Sequence, residues 1–341
     1  MGCNASKTDT PNNNSKKHTK TETPDQPVNH SASSPKPQKS SNDDIAITLD
    51  NDESNPDVKM LLLGSGESGK STIWRQLKLI YCGGFPQDER EGMASVVKLN
   101  LVADIKQLVE AVQDSGQSVA DLQSYFEDIL NLDTEEDLTV EVAHEIKALW
   151  DDPTLKTTYK KSNSIGLGDN ASFFLDSAER IAKTDYIPTD EDLLKSRIRT
   201  TGISSIHFKI NNKIRTQLVD VGGQKCERAK WEKCFKGVQY VIFVISLSDF
   251  DQFMFEDDTI RRTQDSIDLF KSVANSQVFA NKPIFIVFNK KDLFERKLKE
   301  YPSEFKETYP DFKGDINNVE QCIEHVKERF LSQLLPDRNK E

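Results

Sequence analysis

One short stretch constrains this chain more than any other. Gly64-Ser-Gly-Glu-Ser-Gly-Lys-Ser-Thr72 fits the pattern G-x-x-x-x-G-K-[ST] and follows an apolar run, Val58 to Leu63, that reads as a buried parallel strand. Strand, glycine loop and helix in that order turn main-chain N–H groups toward a phosphate, with the positive end of the helix behind them. Lys70 would reach the β and γ phosphates of a nucleotide, and the Ser71 hydroxyl would coordinate Mg²⁺. A plain glycine turn carrying an exposed lysine is the competing reading. A chance match in a chain this long is on the order of one percent.

Two further motifs stand at the ends of later apolar runs. Asp220-Val-Gly-Gly-Gln224 follows the run Lys213 to Val219, and an open α/β sheet binds its ligand at such strand ends. Alone, D-x-x-G is more often a turn. Behind a phosphate loop it predicts Asp220 holding Mg²⁺ through water, Gly223 offering its N–H to the γ-phosphate, and Gln224 orienting an attacking water. Asn289-Lys-Lys-Asp292 ends the run Pro283 to Phe288. A carboxylate accepts the ring N–H and exocyclic amino hydrogens of guanine together, whereas adenine would leave a buried charge unpaired, so Asp292 favours guanine. An adenine-nucleotide enzyme is correspondingly disfavoured.

Between the phosphate loop and these motifs, apolar residues recur at three- and four-residue steps. Val97, Leu101, Ile105, Leu108 and Val112 form one series, and Leu122, Phe126, Ile129 and Leu130 another. Ser118 with Asp121, and Thr189 with Asp192, read as helix starts. About five helices are expected from Gly83 to Leu194. Strand character then returns: Ser204 to Ile210 and Lys213 to Val219 flank Asn211-Asn212 as a hairpin, and Tyr240 to Leu247 and Pro283 to Phe288 are parallel strands joined through a helix near Asp265 to Val273. Asn318 to Leu334 reads as a last amphipathic helix.

With the three motifs in order, the chain resembles the α subunit of heterotrimeric G proteins from Val58 to about Asp337. The resemblance implies an α/β fold: a Ras-like P-loop GTPase core with a mainly parallel sheet (56–82 and 195–341) and an inserted all-helical domain (83–194). It implies that GTP or GDP is held by Gly64, Glu67, Ser68, Gly69, Lys70, Ser71 and Thr72. Asp169, Asn170, Leu194, Lys195, Ser196, Arg197 and Thr200 would add to the site, followed by Asp220, Gly223, Gln224, Asn289, Lys290 and Asp292. By resemblance Ser71 and Thr200 are the Mg²⁺ ligands, and Gln224 and Arg197 are catalytic. Glu67 is expected to pair with Arg197 as a lid over the nucleotide, and Asp169 to face Lys290 across the cleft. Gln224 to Trp231 looks like the second switch and Asp249 to Asp258 the third, with Lys230, Trp231 and Cys234 matching the surface that meets a βγ dimer. For Trp231 the competing reading is an ordinary core aromatic. Cys226 and Ala229 replace polar residues of the family.

Outside the resemblance, residues 1 to 55 are polar and broken by prolines, which reads as a disordered tail. The tail lacks the amphipathic helix with which the family docks on βγ. Met1-Gly2-Cys3-Asn4-Ala5-Ser6 fits N-myristoylation at Gly2 with Cys3 as a palmitoylation candidate, and a two-chain anchor would hold the protein on the cytoplasmic face of a membrane. At the other end, the sequence stops short of the family's sixth strand, its threonine-cysteine-alanine loop and its last helix. Exposed apolar sheet surface, weaker guanine contact and loss of the usual receptor contact are expected from that. A nucleotide-compromised binding or decoy protein is therefore the alternative to a GTPase switch. The net charge of −11 argues against nucleic-acid binding, and five scattered cysteines (Cys3, Cys82, Cys226, Cys234, Cys322) show no metal spacing or disulfide framework, as in a reducing compartment.

Overall fold

The computed structural model describes residues 56 to 338, apart from 118, 120, 134–137, 161–164, 166, 199, 212, 255, 256, 258 and 337. Gly2, Cys3 and the remainder of the tail lie outside the described residues, as does Ser118.

Five strands form one sheet: β1 (Val58–Leu63), β2 (Ile203–Ile210), β3 (Ile214–Val221), β4 (Tyr240–Ser246) and β5 (Ile284–Asn289), in the order β2-β3-β1-β4-β5. Only the β2–β3 hairpin is antiparallel. Leu61, Leu62 and Leu63 are fully buried, which explains why β1 reads as an unbroken apolar run. Register then decides where the motifs fall. Leu62 lies beside Asp220, and Ser246 beside Asn289, so the loops leaving β1, β3 and β5 meet at one end of the sheet.

Both faces are covered. Helix α1 (Lys70–Tyr81) lays Ile73, Trp74 and Leu77 over Leu62, Leu218 and Val244, and Tyr81 stacks on Phe208 with ring centroids 5.9 Å apart. On the opposite face, helices Arg262–Ala274 and Val319–Leu331 bring Phe270 against Phe243 at 5.2 Å and against Phe330 at 5.7 Å. Phe285 on β5, at the edge of the sheet, remains 55% exposed.

The helical region has its own core. After α2 (Gln87–Gly92), the long helix α3 (Ala94–Asp114) buries Val97, Leu101, Val102, Ile105, Leu108, Val109 and Val112 on one stripe. Leu101 is fully buried, so Leu101→Ala costs about 2–5 kcal/mol. The expectation of about five helices is too low: among the described residues eight helical segments lie between Gln87 and Lys195. Local breaks divide them. Asp152 caps the segment that Pro153 begins, accepting from Thr154 N at 2.6 Å, and so ends the preceding helix. Thr189 and Asp192 form the expected capping box, with both reciprocal hydrogen bonds present. Near the sheet, Leu247 belongs not to β4 but to the 3-10 segment Leu247–Asp251 that follows it.

Candidate functional site

The loop after β1 is shaped for an anion. Gly69 takes φ 98° at the start of α1, and a Cβ there would lie 2.1 Å from Asn289 Nδ2. That closeness lets Asn289 donate to Ser68 O at 3.0 Å, fastening the end of β5 to the loop. Helix α1 has no side-chain cap and no acidic residue in its first turn, so its leading N–H groups stay available to a phosphate. Lys70 is buried, with Nζ donating to Ser65 O at 2.6 Å and lying 3.4 Å from Ser68 Oγ. Burial pulls the Lys70 ammonium down to about 8, against the opposing pull of Asp220. A polyphosphate beside it would favour the charged form. Gly223 has to be glycine for space, since a Cβ there would meet the main-chain oxygens of Ser65 at 2.6 Å and Gly64 at 2.7 Å.

Three oxygens converge next to Lys70. Ser71 Oγ lies 2.5 Å from Thr200 Oγ1 and donates to Asp220 Oδ2 at 2.6 Å, while the other carboxylate oxygen, Oδ1, is buried without a partner. Burial raises Asp220 above the usual carboxylate range, partly offset by the Ser71 hydrogen bond and by Lys70. Hydroxyl and carboxylate oxygens around an orphaned buried oxygen suit a hard divalent cation such as Mg²⁺.

Above the loop, Glu67 takes a left-handed backbone, φ 60°, and pairs with Arg197 at 2.6 Å, the lid contact expected from the sequence. Its second oxygen pairs with Arg262, also at 2.6 Å. Burial alone would raise the Glu67 pKa, but Arg262 and Arg197 outweigh it and hold the carboxyl below its ordinary value. Across the cleft, Lys290 Nζ donates to Asp169 at 2.8 Å and lies 3.9 Å from Asp249. Burial opposes the Lys290 charge, yet these two carboxylates keep its pKa above normal.

The segment carrying Arg197 is held by its main chain. Arg75 of α1, itself buried, donates to Leu193 O at 3.0 Å and Ser196 O at 3.1 Å. Asn170 donates to Lys195 O at 2.9 Å, and Asn100 of α3 both accepts from Arg197 N at 2.6 Å and donates to Arg197 O at 3.2 Å. Ser196 is buried, Leu194 is half-buried, and Lys195 pairs with Glu191 at 2.9 Å. Thr72 is half-buried in the first turn of α1, one residue beyond Ser71. Gln224 lies over Gly66, where a Cβ would come within 3.4 Å of its Cγ.

A family model described as G-protein alpha subunit matches residues 36–341, and a guanine nucleotide-binding protein subunit alpha of Emericella nidulans is 38% identical over 302 residues, 86% of this chain and 84% of that protein. The chain belongs to the G-protein alpha subunit family. It is also 37% identical, over the same shares of each chain, to a G-protein complex alpha subunit of Aspergillus fumigatus and to a guanine nucleotide-binding protein alpha-1 subunit of Neurospora crassa. Membership carries the P-loop GTPase fold with its helical domain, guanine-nucleotide binding and a place in signal transduction.

Within this α subunit the base end is looser than the phosphate end. Asp292 stands exposed in the first turn of helix Lys291–Glu300, immediately after Lys290, which takes a left-handed backbone of φ 59°. The surface read for a βγ dimer needs correction. Trp231 and Cys234 are 4% and 3% exposed, and Trp231 Nε1 donates to Gly222 O at 2.8 Å, so the core reading of this aromatic prevails. Of the three residues Lys230 alone is exposed, and it pairs with Glu227 at 2.7 Å.

Several site residues left no readable signal in the sequence. Arg262 and Asn100 sit in helices whose apolar periodicity says nothing about a polar partner distant in the chain. The same holds for Arg228, which grips Asp265 at 2.9 and 2.5 Å and donates to Gly223 O at 3.0 Å.

Proposed function

We propose that this α subunit is a membrane-associated switch that binds Mg²⁺-GTP and hydrolyses it to GDP. The observation that carries the reading is the cluster of Ser71, Thr200 and Asp220 oxygens beside Lys70, with Gln224 over Gly66 and Arg197 paired to Glu67 of the same loop. Magnesium, when bound, supplies positive charge to the β and γ phosphate oxygens. Lys70 and the leading N–H groups of α1 bind and orient the phosphates, and Gly223 offers its N–H to the γ-phosphate. Gln224 orients a water in line with the γ-phosphorus; the new P–O bond forms as the bond to the bridging oxygen breaks, and the water's proton passes to phosphate. Arg197 and Lys70 offset the charge that develops. Asp292 selects guanine, and Gly2 and Cys3 take the lipids that hold the chain at the cytoplasmic face of a membrane. Lys230 and its surroundings on the second switch are the part left to meet a βγ dimer.

Extraction of the purified protein for bound nucleotide, followed by GTP titration with Mg²⁺ or with a chelator, tests this. Retained guanine nucleotide, Mg²⁺-dependent phosphate release and a change in Trp231 fluorescence are expected, because the Trp231 indole is bonded to Gly222 next to Gly223. A protein that retains no guanine nucleotide and releases no phosphate is a decoy, and the proposal fails.

A further inference from the structure

The helical region is joined to the core at both edges of the sheet, in two different ways. Both covalent connections run at the β2 edge. Tyr81, the last residue of α1, stacks on Phe208 of β2, Cys82 Sγ lies 3.8 Å from His207 O, and Gly83 and Gly84 then turn the chain away with φ 72° and 89°. The chain comes back at Ile203, the first residue of β2. Strand β5 forms the other edge, four strand spacings or roughly 19 Å away. There the junction is made by side chains. Lys290, next after β5, meets Asp169 at 2.8 Å, and Tyr301, at the end of helix Lys291–Glu300, donates its hydroxyl to Lys160 O at 2.5 Å. Lys290 and Asp169 face each other across the nucleotide cleft, whereas Tyr301 and Lys160 belong to no nucleotide-binding motif.

Each end of the Tyr301 bond is firmly mounted. Lys160 caps the C-terminus of helix Pro153–Tyr159, where main-chain carbonyls lack a partner within the helix and carry the negative end of its dipole. Water ordinarily satisfies such an oxygen; here a phenol 141 positions away does. Tyr301 N donates to Lys297 O at 2.7 Å, and Lys297, itself buried, pairs with Asp251 at 2.8 Å, while Pro302 starts the next helix at once. Burial, Glu300 and Asp251 push the phenol above its ordinary value against the pull of Arg296, so it keeps the proton that it donates. The candidate site takes residues from both regions, and a rotation about the connections at the β2 edge would part them first at the β5 edge. We propose that Tyr301 is a positioning residue for nucleotide retention, its hydroxyl fastening the helical region to the core as a second bond beside the Asp169–Lys290 pair and setting how fast nucleotide leaves. A main-chain acceptor makes this fastening independent of the side chain at position 160. The inference rests on the guanine-nucleotide part of the proposed function.

The test follows release of a fluorescent GDP analogue from the full-length chain. Tyr301→Phe keeps the ring and removes the donor, and it is expected to quicken release about fivefold, the worth of one hydrogen bond between uncharged groups. Lys160→Ala leaves the acceptor in place and is expected to release at the wild-type rate. Added to Asp169→Asn, Tyr301→Phe quickens release about fivefold again, because both bonds resist one motion. Single-turnover hydrolysis in Tyr301→Phe keeps the wild-type rate, as expected of a residue that touches none of the groups at the phosphate end. Equal release by Tyr301→Phe and wild type overturns the inference. So does a double variant no faster than Asp169→Asn alone, a Lys160→Ala variant as fast as Tyr301→Phe, or hydrolysis that slows in Tyr301→Phe. A wild type that retains no guanine nucleotide refutes the proposed function instead, and small-angle scattering then decides this inference. A larger radius of gyration for Tyr301→Phe than for wild type supports it, and equal radii overturn it.

Discussion

The two ends of the nucleotide site are built differently. At the phosphate end the functional side chains are buried or half-buried and bonded to their neighbours: Lys70 to Ser65, Ser71 to both Thr200 and Asp220, and Asn289 across to Ser68. At the base end, Asp292 stands in solvent, and Lys290 is held through the helical region by Asp169. A network assembled from strand ends costs little to organise when ligand arrives, whereas an exposed carboxylate contributes chiefly by what it rejects. Affinity should therefore come from one end and choice of base from the other.

Substitutions at each end can break that division. Lys70→Ala is expected to have the largest effect, weakening GTP and GDP alike by roughly 1,000-fold in calorimetric titration, since it removes a buried charge facing phosphate. A loss smaller than tenfold would move the source of affinity elsewhere. Gln224→Leu is expected to slow single-turnover hydrolysis about 100-fold at unchanged affinity; equal rates would strip Gln224 of its role. For Asp292→Ala, the preference for GTP over ATP should fall about 30-fold while triphosphate itself still binds, and a parallel loss of both would show that the two ends are not separable. Glu67→Gln releases two arginines at once, so nucleotide dissociation should quicken about tenfold in stopped flow. An unchanged rate would leave the pairs as surface contacts without a lid function.

The smallest effect concerns a carboxyl of the helical region. Asp104 lies one turn beyond Asn100 on α3, 4.0 Å from the place a Cβ on Gly168 would occupy, and burial pushes its carboxyl up to about 7 despite the opposing Arg197. Because the folded form binds this proton more readily than the unfolded form, the contribution is full below the ordinary carboxylate range and is lost as pH rises to about 7. Thermal melts should show Asp104→Asn flattening the stability profile over that window. The same slope in wild type and variant would assign the effect to another group.

Much of this was legible in the residues. β1 matches its expected span, and the other strands fall within a residue or two, because buried parallel strands are unbroken apolar runs and their ends carry the glycine and Asx motifs. What escaped were relationships between distant residues. Glu67 was expected to meet Arg197, yet nothing in local spacing ties it to Arg262, 195 positions away. Trp231 failed as a surface residue for a related reason: aromatic character gives no information on which side the chain will bury. The helix count fell short because proline and capping breaks such as Asp152-Pro153 interrupt a periodicity that continues across them.

Arg75, Asn170 and Asn100 take main-chain atoms of residues 193 to 197, not their side chains. The path of that segment is consequently indifferent to what it carries. A guanidinium can be deleted at Arg197 without moving the strand of chain that presented it, so the chemistry of this position can drift in sequence while its location stays fixed by three residues elsewhere.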